Sequence, residues 1–360
     1  MQTLSWADID LSAIAYNFDI IKQSSPNQKT IAVIKANGYG HGALEIAKTI
    51  KADAFGVARI HEAKLLRDKG IQTPIIVMSE LLAEDQLTEC EQLRLEPVIH
   101  SAFALNNLKH FRPRTNRPFR CWLKVDSGMH RLGLNSEQLD TAKCVFEAHP
   151  NLHLVGLITH LASAEKIGDP KNTMQANAFK QLAAKFEGVD ISIANSAATL
   201  FHPDLRGEWL RLGISLYGIN PAHQSNTVTE NLKPAMTVRS RIIDIKDIPQ
   251  GDRVGYNGIW QATRSSRIAI IGIGYADGYP RHAKNGTPVL INGERFPLSG
   301  RVSMDMISVD ITDASKPLKV GDVATLWGEG LDAEEVAQSC GTIAYELFTS
   351  AGQRVTKIYR

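Results

Sequence analysis

Several features that mark membrane, secreted or nucleic-acid-binding proteins are scarce in this 360-residue sequence. It has four cysteines and no C-x-x-C pair among them, so we expect separate reduced thiols and a cytoplasmic protein. Its formal net charge of +2 provides no basic surface for nucleic acid or an anionic membrane. The first ten residues have no cationic segment followed by an apolar core, so no signal peptide is predicted. The apolar run at residues 268–273 is too short to cross a bilayer.

Short apolar segments alternate with helix-like stretches from residue 30 onward. Eight strands are predicted, at residues 31–35, 54–57, 75–78, 97–99, 121–125, 155–159, 191–194 and 210–214. Eight strands joined mostly by helices match the size and count of a (β/α)8 TIM-type barrel. A doubly wound sheet is the alternative α/β architecture, but it usually needs fewer strands.

The pattern changes after Pro221. Strand-like segments then follow one another with Gly, Pro, Asn and Asp turns between them and little helix. This predicts a second, mainly-β domain at the C-terminal end. No Ser/Gly-rich linker marks the junction, so we place the boundary near residue 230, with the barrel domain at residues 1–230 and the mainly-β domain at residues 231–360.

A lysine ends the first apolar run. The β-branched stretch before Lys35 predicts a buried strand, and Gly38, Gly40 and Gly42 allow a tight turn directly after it. A lysine partly enclosed by apolar surface has a lowered pKa and can act as a nucleophile that forms a Schiff base. A single lysine in this position more often extends into solvent, so the rest of the sequence has to decide between the two.

Other polar residues follow the predicted strands at the same end. The chemistry of a barrel gathers at the carboxyl ends of its strands, and these residues are Lys35, Tyr39, Lys124, Arg131, His160, Asn195, Ser196 and Arg211, followed by Gly213. Cations and small hydroxyl or glycine residues at one mouth predict an anionic cofactor whose carbonyl is held by the lysine. Pyridoxal phosphate fits that description. His149 and His153 are spaced like metal ligands, but Pro150 between them predicts a loop, so we expect no metal site.

Six motifs in one order make the chain similar to the bacterial alanine racemase family over essentially its whole length. They lie at residues 32–42, 124–133, 194–198, 254–256, 274–278 and 300–305. The resemblance implies a pyridoxal-phosphate-dependent isomerase that interconverts L-alanine and D-alanine. It leaves open whether D-alanine is supplied for peptidoglycan or consumed in catabolism.

The family pattern also implies a role for individual residues. Racemisation removes a proton from one face of Cα and returns it on the other, so two bases are expected, and the resemblance makes them Lys35 and Tyr256. Lys35 also binds the cofactor covalently. Phosphate contacts fall to Tyr39, Ser196, Tyr345 and the backbone N–H groups of Gly213 and Ile214, with Asn195 beside them. Arg211 faces the pyridine nitrogen and His160 supports it, whereas Arg131 contacts the phenolic oxygen and the substrate carboxylate. Lys124 occupies a position that the family often carries as a carbamate.

The resemblance implies a head-to-tail homodimer with shared active sites. Tyr256 and Met304 would reach the cofactor site of the partner subunit, where the Met304 backbone N–H would bind the substrate carboxylate. Ser303 and Leu161 depart from residues that are common in the family, which bears on pocket shape only. A broader amino-acid racemase, a decarboxylase of related fold and a pyridoxal phosphate carrier are the alternatives. Tyr345 and Tyr275 favour a narrow entrance, Tyr256 argues against a decarboxylase, and the extra β domain argues against a carrier.

Overall fold

The computed structural model describes residues 3–81 and 83–360. They form two compact units. The barrel unit contains residues 15–38 and 42–232, and the β unit contains residues 3–14, 39–41 and 233–360. Residues 3–14 and 39–41 fall within the predicted barrel domain at residues 1–230, but in the structure they group with the β unit.

The first strand explains this difference. Strand β1 (Ser5–Ile9) pairs with two strands of the β unit and with none of the barrel. Its buried Asp8 forms ion pairs with Arg239 and, at 2.7 Å, with Arg360. Burial of a carboxylate requires such partners, and both are more than two hundred positions away in the chain. Local sequence patterns therefore carry no sign of this pairing.

Eight parallel strands form the sheet of the barrel unit. They are β2 (Lys29–Val33), β3 (Ala54–Val57), β4 (Ile75–Val77), β5 (Leu95–Ile99), β6 (Phe119–Lys124), β7 (Leu152–Ile158), β8 (Asp190–Ser192) and β9 (Trp209–Leu212). Their order is β8-β7-β6-β5-β4-β3-β2-β9. The two ends of the sheet meet where Arg211 N donates to the Ala194 carbonyl at 2.9 Å. The predicted TIM-type barrel is confirmed, and each predicted strand overlaps an observed one.

Helices follow most of the barrel strands, as parallel connections require. They are Ala43–Thr49, Ile60–Asp68, Glu84–Gln92, Ala102–His110, Ser136–Ala148, Pro170–Ala183 and Ser196–Phe201, and the helix Leu11–Gln23 precedes β2. Strand β4 is buried throughout with the sequence Ile-Ile-Val, the continuous apolar run expected of a strand covered on both faces. No helix in the described residues is long and apolar enough to cross a membrane.

The β unit is a mixed sheet around one long strand. Strand β10 (Met236–Ile248) pairs antiparallel with β1, with β13 (Ser266–Ile271) and with β17 (Val323–Trp327). The other strands of this sheet are β14 (Pro288–Ile291), β15 (Glu294–Pro297), β16 (Ile307–Asp310) and β18 (Thr356–Tyr359). Strands β11 (Arg253–Val254) and β12 (Trp260–Gln261) form a separate two-stranded sheet. Two helices, Ala333–Ser339 and Ala344–Ser350, complete the unit. The mainly-β character predicted for this part of the chain is confirmed.

Candidate active site

The chain turns in an unusual way directly after strand β2. Ala36, Asn37, Gly38 and Tyr39 all have positive φ, at 51°, 53°, 64° and 51°. Four consecutive residues of this kind form a left-handed helical turn, which costs about 1–2 kcal/mol for each residue with a Cβ. Such strain persists only where surrounding contacts determine the conformation, and it is common at functional sites. The turn begins at Lys35.

Hydrogen bonds within the barrel unit hold this turn. Oε1 of Glu62 accepts from Ala36 N at 2.5 Å. Oδ1 of Asn37 accepts from Ala43 N at 3.0 Å, and Gly38 N donates to the Ile34 carbonyl at 2.7 Å. A Cβ on Gly38 would lie 2.5 Å from Cδ1 of Ile46, so glycine is needed there for space as well as for its φ. The backbone that carries Lys35 is therefore fixed.

Lys35 lies in a cationic environment. Burial of the ammonium lowers its pKa and Arg131 lowers it further, whereas the carboxylate of Glu62 acts in the opposite direction. Lys35 as a whole residue is nevertheless exposed. A lowered pKa raises the fraction of neutral amine, which is the nucleophilic and basic form.

Lys124 lies in the same group of cations. Burial, followed by the charges of Arg211, Arg131 and Lys35, lowers the pKa of Lys124 to about 8, although Asp126 opposes the shift. So many positive charges with one opposing carboxylate favour an anionic ligand. The structure thus places four of the predicted site residues close enough for their charges to interact.

Arg211 is held by backbone carbonyls and is 5% exposed. Nη1 donates to the Ser192 carbonyl at 2.9 Å and to Ser192 Oγ at 2.7 Å. Nη2 donates to the carbonyls of Thr159 at 2.6 Å and Ile193 at 3.1 Å. Nε donates to none of the residues that the structure describes. Burial lowers the pKa of Arg211 to about 10, so the guanidinium stays protonated at neutral pH and presents one N–H to a ligand.

His160 lies beside this guanidinium. Its Nδ1 is 3.4 Å from Nη2 of Arg211. Burial lowers the pKa of His160 to about 2, with further contributions from Arg211, Lys124 and nearby cations. The ring is therefore neutral, as expected of a residue that supports Arg211 and takes no part in proton transfer.

The residues predicted to hold phosphate in the barrel unit lie at the ends of β8 and β9. Ser196 Oγ accepts from Gly213 N at 2.8 Å, so this hydroxyl keeps its own proton for an anion. Asn195 Oδ1 accepts from Ala198 N at 3.0 Å and caps the helix Ser196–Phe201. Ile214 follows Gly213 at the start of a 3-10 turn and is buried. Asn195 thus fixes the segment that carries Ser196.

The β unit carries the predicted tyrosines. The ring centroids of Tyr39 and Tyr345 are 5.9 Å apart. Burial, and then the neighbouring Tyr345, raise the pKa of Tyr39, so its hydroxyl is a neutral hydrogen-bond donor. Tyr345 is 40% exposed.

Tyr256 and Met304 lie on exposed turns of the β unit. Tyr256 is 65% exposed and Met304 is 53% exposed. The backbone next to Tyr256 is constrained by positive φ at Gly255 and Asn257, 72° and 60°. The Met304 carbonyl accepts from Ala276 N at 3.0 Å, and a Cβ on Gly274 would lie 2.3 Å from that oxygen. Both turns are therefore ordered although their side chains point to solvent.

Two family models match the chain. The alanine racemase N-terminal domain matches residues 9–221, and the alanine racemase C-terminal domain matches residues 235–359. The chain belongs to the alanine racemase family.

Alanine racemases from several bacteria match over the full length. That of Photobacterium profundum is 42% identical over 357 residues, covering 98% of each chain. That of Chromohalobacter salexigens is 41% identical over 360 residues, covering 98% of this chain and 97% of the relative. The solved biosynthetic alanine racemase from Pseudomonas aeruginosa has a TM-score of 0.94 at 38% identity, and 100% of both chains is covered. The alanine racemase structure from Bartonella henselae, with covalently bound pyridoxal phosphate, has a TM-score of 0.93 at 31% identity, with 100% of both chains covered.

Sequence reasoning missed Glu62 and the buried polar groups around Arg211. Glu62 lies three residues after Arg59, a spacing typical of a helix-capping residue, and nothing local connects it with Ala36. Ser192 and Thr159 contact Arg211 mainly through their carbonyl oxygens, which every residue type possesses. Among the described residues, no group of three or more His, Cys, Asp or Glu side chains is arranged to hold a metal ion.

Proposed function

We infer that this chain interconverts L-alanine and D-alanine with pyridoxal phosphate as its cofactor. Membership of the alanine racemase family supports this conclusion. The structural observation that carries it is the combination of Lys35, fixed by a strained turn, with a buried Arg211 that leaves Nε for a ligand.

The residues present fit this cofactor. Its phosphate and phenolic oxygen are anionic and match the positive charges of Arg131 and Arg211. The N–H at Nε of Arg211 matches the acceptor nitrogen of an unprotonated pyridine. We propose that Lys35 binds the cofactor covalently, and that Ser196, Gly213 and Ile214 contact the phosphate. The Gly213 N–H would then be shared between Ser196 Oγ and a phosphate oxygen. The family resemblance adds Tyr39 and Tyr345 to these contacts.

Proton transfer then requires a base on each face of the substrate. When bound, the cofactor withdraws electron density from the substrate Cα and makes its proton acidic. We propose that the neutral amine of Lys35 takes or returns this proton on one face, and that the hydroxyl of Tyr256 does so on the other. Arg131 would bind the substrate carboxylate, together with the Met304 backbone N–H.

Lys124 has the properties needed for the carbamate that the family often carries. Its pKa of about 8 leaves part of the amine neutral near physiological pH. We propose that the neutral amine of Lys124 adds to carbon dioxide and releases one proton, which gives a carbamate anion that orients Arg131.

We also propose a homodimer with shared active sites. The high exposure of Tyr256 and Met304 in a single chain is consistent with residues that serve a partner subunit. A cytoplasmic location is proposed as well, because Cys90, Cys121, Cys144 and Cys340 are free thiols. The D-alanine would supply peptidoglycan or be consumed in catabolism.

The proposed function is tested by the loss of circular dichroism as L-alanine is converted to D-alanine. The enzyme should act on L-alanine in preference to larger amino acids, whereas a broader racemase would convert both. Lys35→Ala should abolish racemisation and covalent cofactor binding. Lys29→Ala, which removes an exposed lysine paired with Asp190 at 2.9 Å, is the matched control and should remain active. After borohydride reduction, a pyridoxyl group found on a lysine other than Lys35 would disprove the assignment.

A further inference from the structure

Glu62 uses its two carboxylate oxygens for two different tasks. Oε2 accepts from Ala58 N at 2.9 Å and from Arg59 N at 3.0 Å. These bonds cap the helix Ile60–Asp68, and capping alone would be an ordinary structural role. Oε1 accepts a different hydrogen bond, from Ala36 N at 2.5 Å. Ala36 follows Lys35 directly in the chain and is 26 positions away from Glu62.

The bond to Ala36 lies at the first residue of the left-handed turn. Ala36 has φ 51° and ψ 48°, a conformation that its methyl side chain disfavours and cannot stabilise by a hydrogen bond of its own. A charged acceptor makes a stronger bond to an amide than a neutral one does. The carboxylate of Glu62 therefore stabilises the backbone at the point where it leaves Lys35.

We propose that Glu62 is a positioning residue for Lys35. Glu62 couples the helix Ile60–Asp68 to the strained turn and places a negative charge near the lysine. The proposal rests on the proposed role of Lys35 in racemisation. As a positioning residue, Glu62 acts through the Ala36 amide and through its charge near the lysine.

The charges around Lys35 determine how its pKa changes when the Glu62 carboxylate is removed. Arg131 lowers the pKa of Lys35, whereas the charge of Glu62 raises it. Lys124 and His160 also interact electrostatically with this lysine. Removal of this carboxylate therefore lowers the pKa of the lysine further. Since the neutral amine is the base, the acidic limb of the kcat profile should move to lower pH.

The test compares three variants of the holoenzyme by hydrogen exchange and by kinetics. Glu62→Ala should increase exchange of the Ala36 amide at least tenfold, lower kcat about 10- to 100-fold because the base is misplaced, and shift the acidic limb to lower pH. Glu62→Gln retains one oxygen acceptor without charge. It should show the same pH shift with a smaller increase in exchange at Ala36, and it keeps the test valid if Glu62→Ala does not fold.

Gln138→Ala is the matched control. Gln138 Oε1 caps the helix Ser136–Ala148 by accepting from Asn135 N at 3.0 Å, so this variant loses a cap without a link to Lys35. It should change neither exchange at Ala36 nor the pH profile. The proposal would be overturned if the exchange rate of Ala36, the kcat value or the acidic limb of the pH profile stayed unchanged in both Glu62 variants. It would also be overturned if Gln138→Ala changed these quantities as much as the Glu62 variants do. Exchange at Ala36 is measured independently of activity, so a failure of Lys35→Ala to stop racemisation would disprove the proposed function and leave this measurement interpretable.

Discussion

Nη2 of Arg211 lies 3.4 Å from Nδ1 of His160 within the barrel unit. A guanidinium only donates, so Nδ1 must accept, and the neutral ring then carries its proton on Nε2. Protonation of Nδ1 would place two cationic donors against each other. This relationship, together with burial, explains why the pKa of His160 falls to about 2.

His160 should make stability depend on pH. Its pKa in the folded state lies below the value of about 6.5 in an unfolded chain, so the unfolded state binds a proton that the folded state does not. The contribution of His160 to the free energy of unfolding is therefore fully present above about pH 6.5. It is lost as the pH falls towards the pKa of His160 in the folded state. At pH 5 the loss from this group should be about 1–2 kcal/mol.

Urea unfolding at pH 7 and pH 5, at one protein concentration, measures this effect. His160→Gln should reduce the difference between the two pH values. His130→Gln, at a side chain that is 81% exposed, should leave it nearly unchanged. An identical pH dependence in wild type and His160→Gln would show that the buried histidine is not responsible.

Arg211 should control the partition between racemisation and side reactions. Its guanidinium cannot give up a proton to the pyridine nitrogen, which limits delocalisation of charge into the ring. Arg211→Glu would permit protonation of that nitrogen, so racemisation should slow and transamination should increase. The measurement is the ratio of pyruvate to D-alanine formed from L-alanine.

A control is needed because Arg211 also binds several carbonyl oxygens. Arg206→Gln removes an arginine that bonds the Thr199 and Ser24 carbonyls in the same unit, and it should leave the product ratio unchanged. If Arg211→Glu does not fold, Arg211→Lys keeps the charge and should show slower racemisation with little extra pyruvate. A product ratio equal to that of wild type in Arg211→Glu would contradict the assignment.

Tyr256 should act as the second base. Removal of a general acid–base group costs about 10²–10⁴-fold in rate, so Tyr256→Phe should lose activity to that extent and lose solvent proton exchange on one enantiomer preferentially. Tyr359→Phe, at a 40% exposed tyrosine of strand β18, is the matched control. Equal loss of exchange on both enantiomers would argue against a base that serves one face.

Complementation tests whether this tyrosine serves the partner subunit. A heterodimer of Lys35→Ala with Tyr256→Ala would contain one site with both lesions and one site with neither. Mixing the two inactive variants should therefore restore part of the activity. Heterodimers that form and remain inactive would place both bases in one chain.

Gly40 should be essential for stability of the β unit. Its φ is +81°, and a Cβ there would lie 2.1 Å from the Phe348 carbonyl oxygen. Gly286 has a similar φ of +90° but no atom within 4 Å of that position. Gly286→Ala should cost about 1 kcal/mol for the φ alone, and Gly40→Ala about 3 kcal/mol or more because backbone must move. Equal free energies of unfolding for both variants would mean that the backbone relaxes without cost.

The sequence by itself determined the fold class and the family, and it predicted the residues of the site. Short apolar runs that alternate with helix-like stretches predicted the barrel strands, because burial on both faces imposes a continuous apolar pattern. The position of Lys35 between such a run and a glycine-rich turn marked it as a candidate nucleophile. Each motif is local in sequence, but several motifs together were needed to distinguish a nucleophile from a lysine that extends into solvent.

The tertiary structure alone decided how these parts are held. Asp8 pairs with Arg239, which is 231 positions away in the chain, and strand β1 therefore belongs to the β unit. Arg211 contacts the Thr159 carbonyl 52 positions away, and Glu62 contacts Ala36 across 26 positions. Backbone carbonyls and amides take part in each of the last two contacts, and they are identical in every residue. No residue pattern could reveal them, because folding alone brings these groups within hydrogen-bond distance.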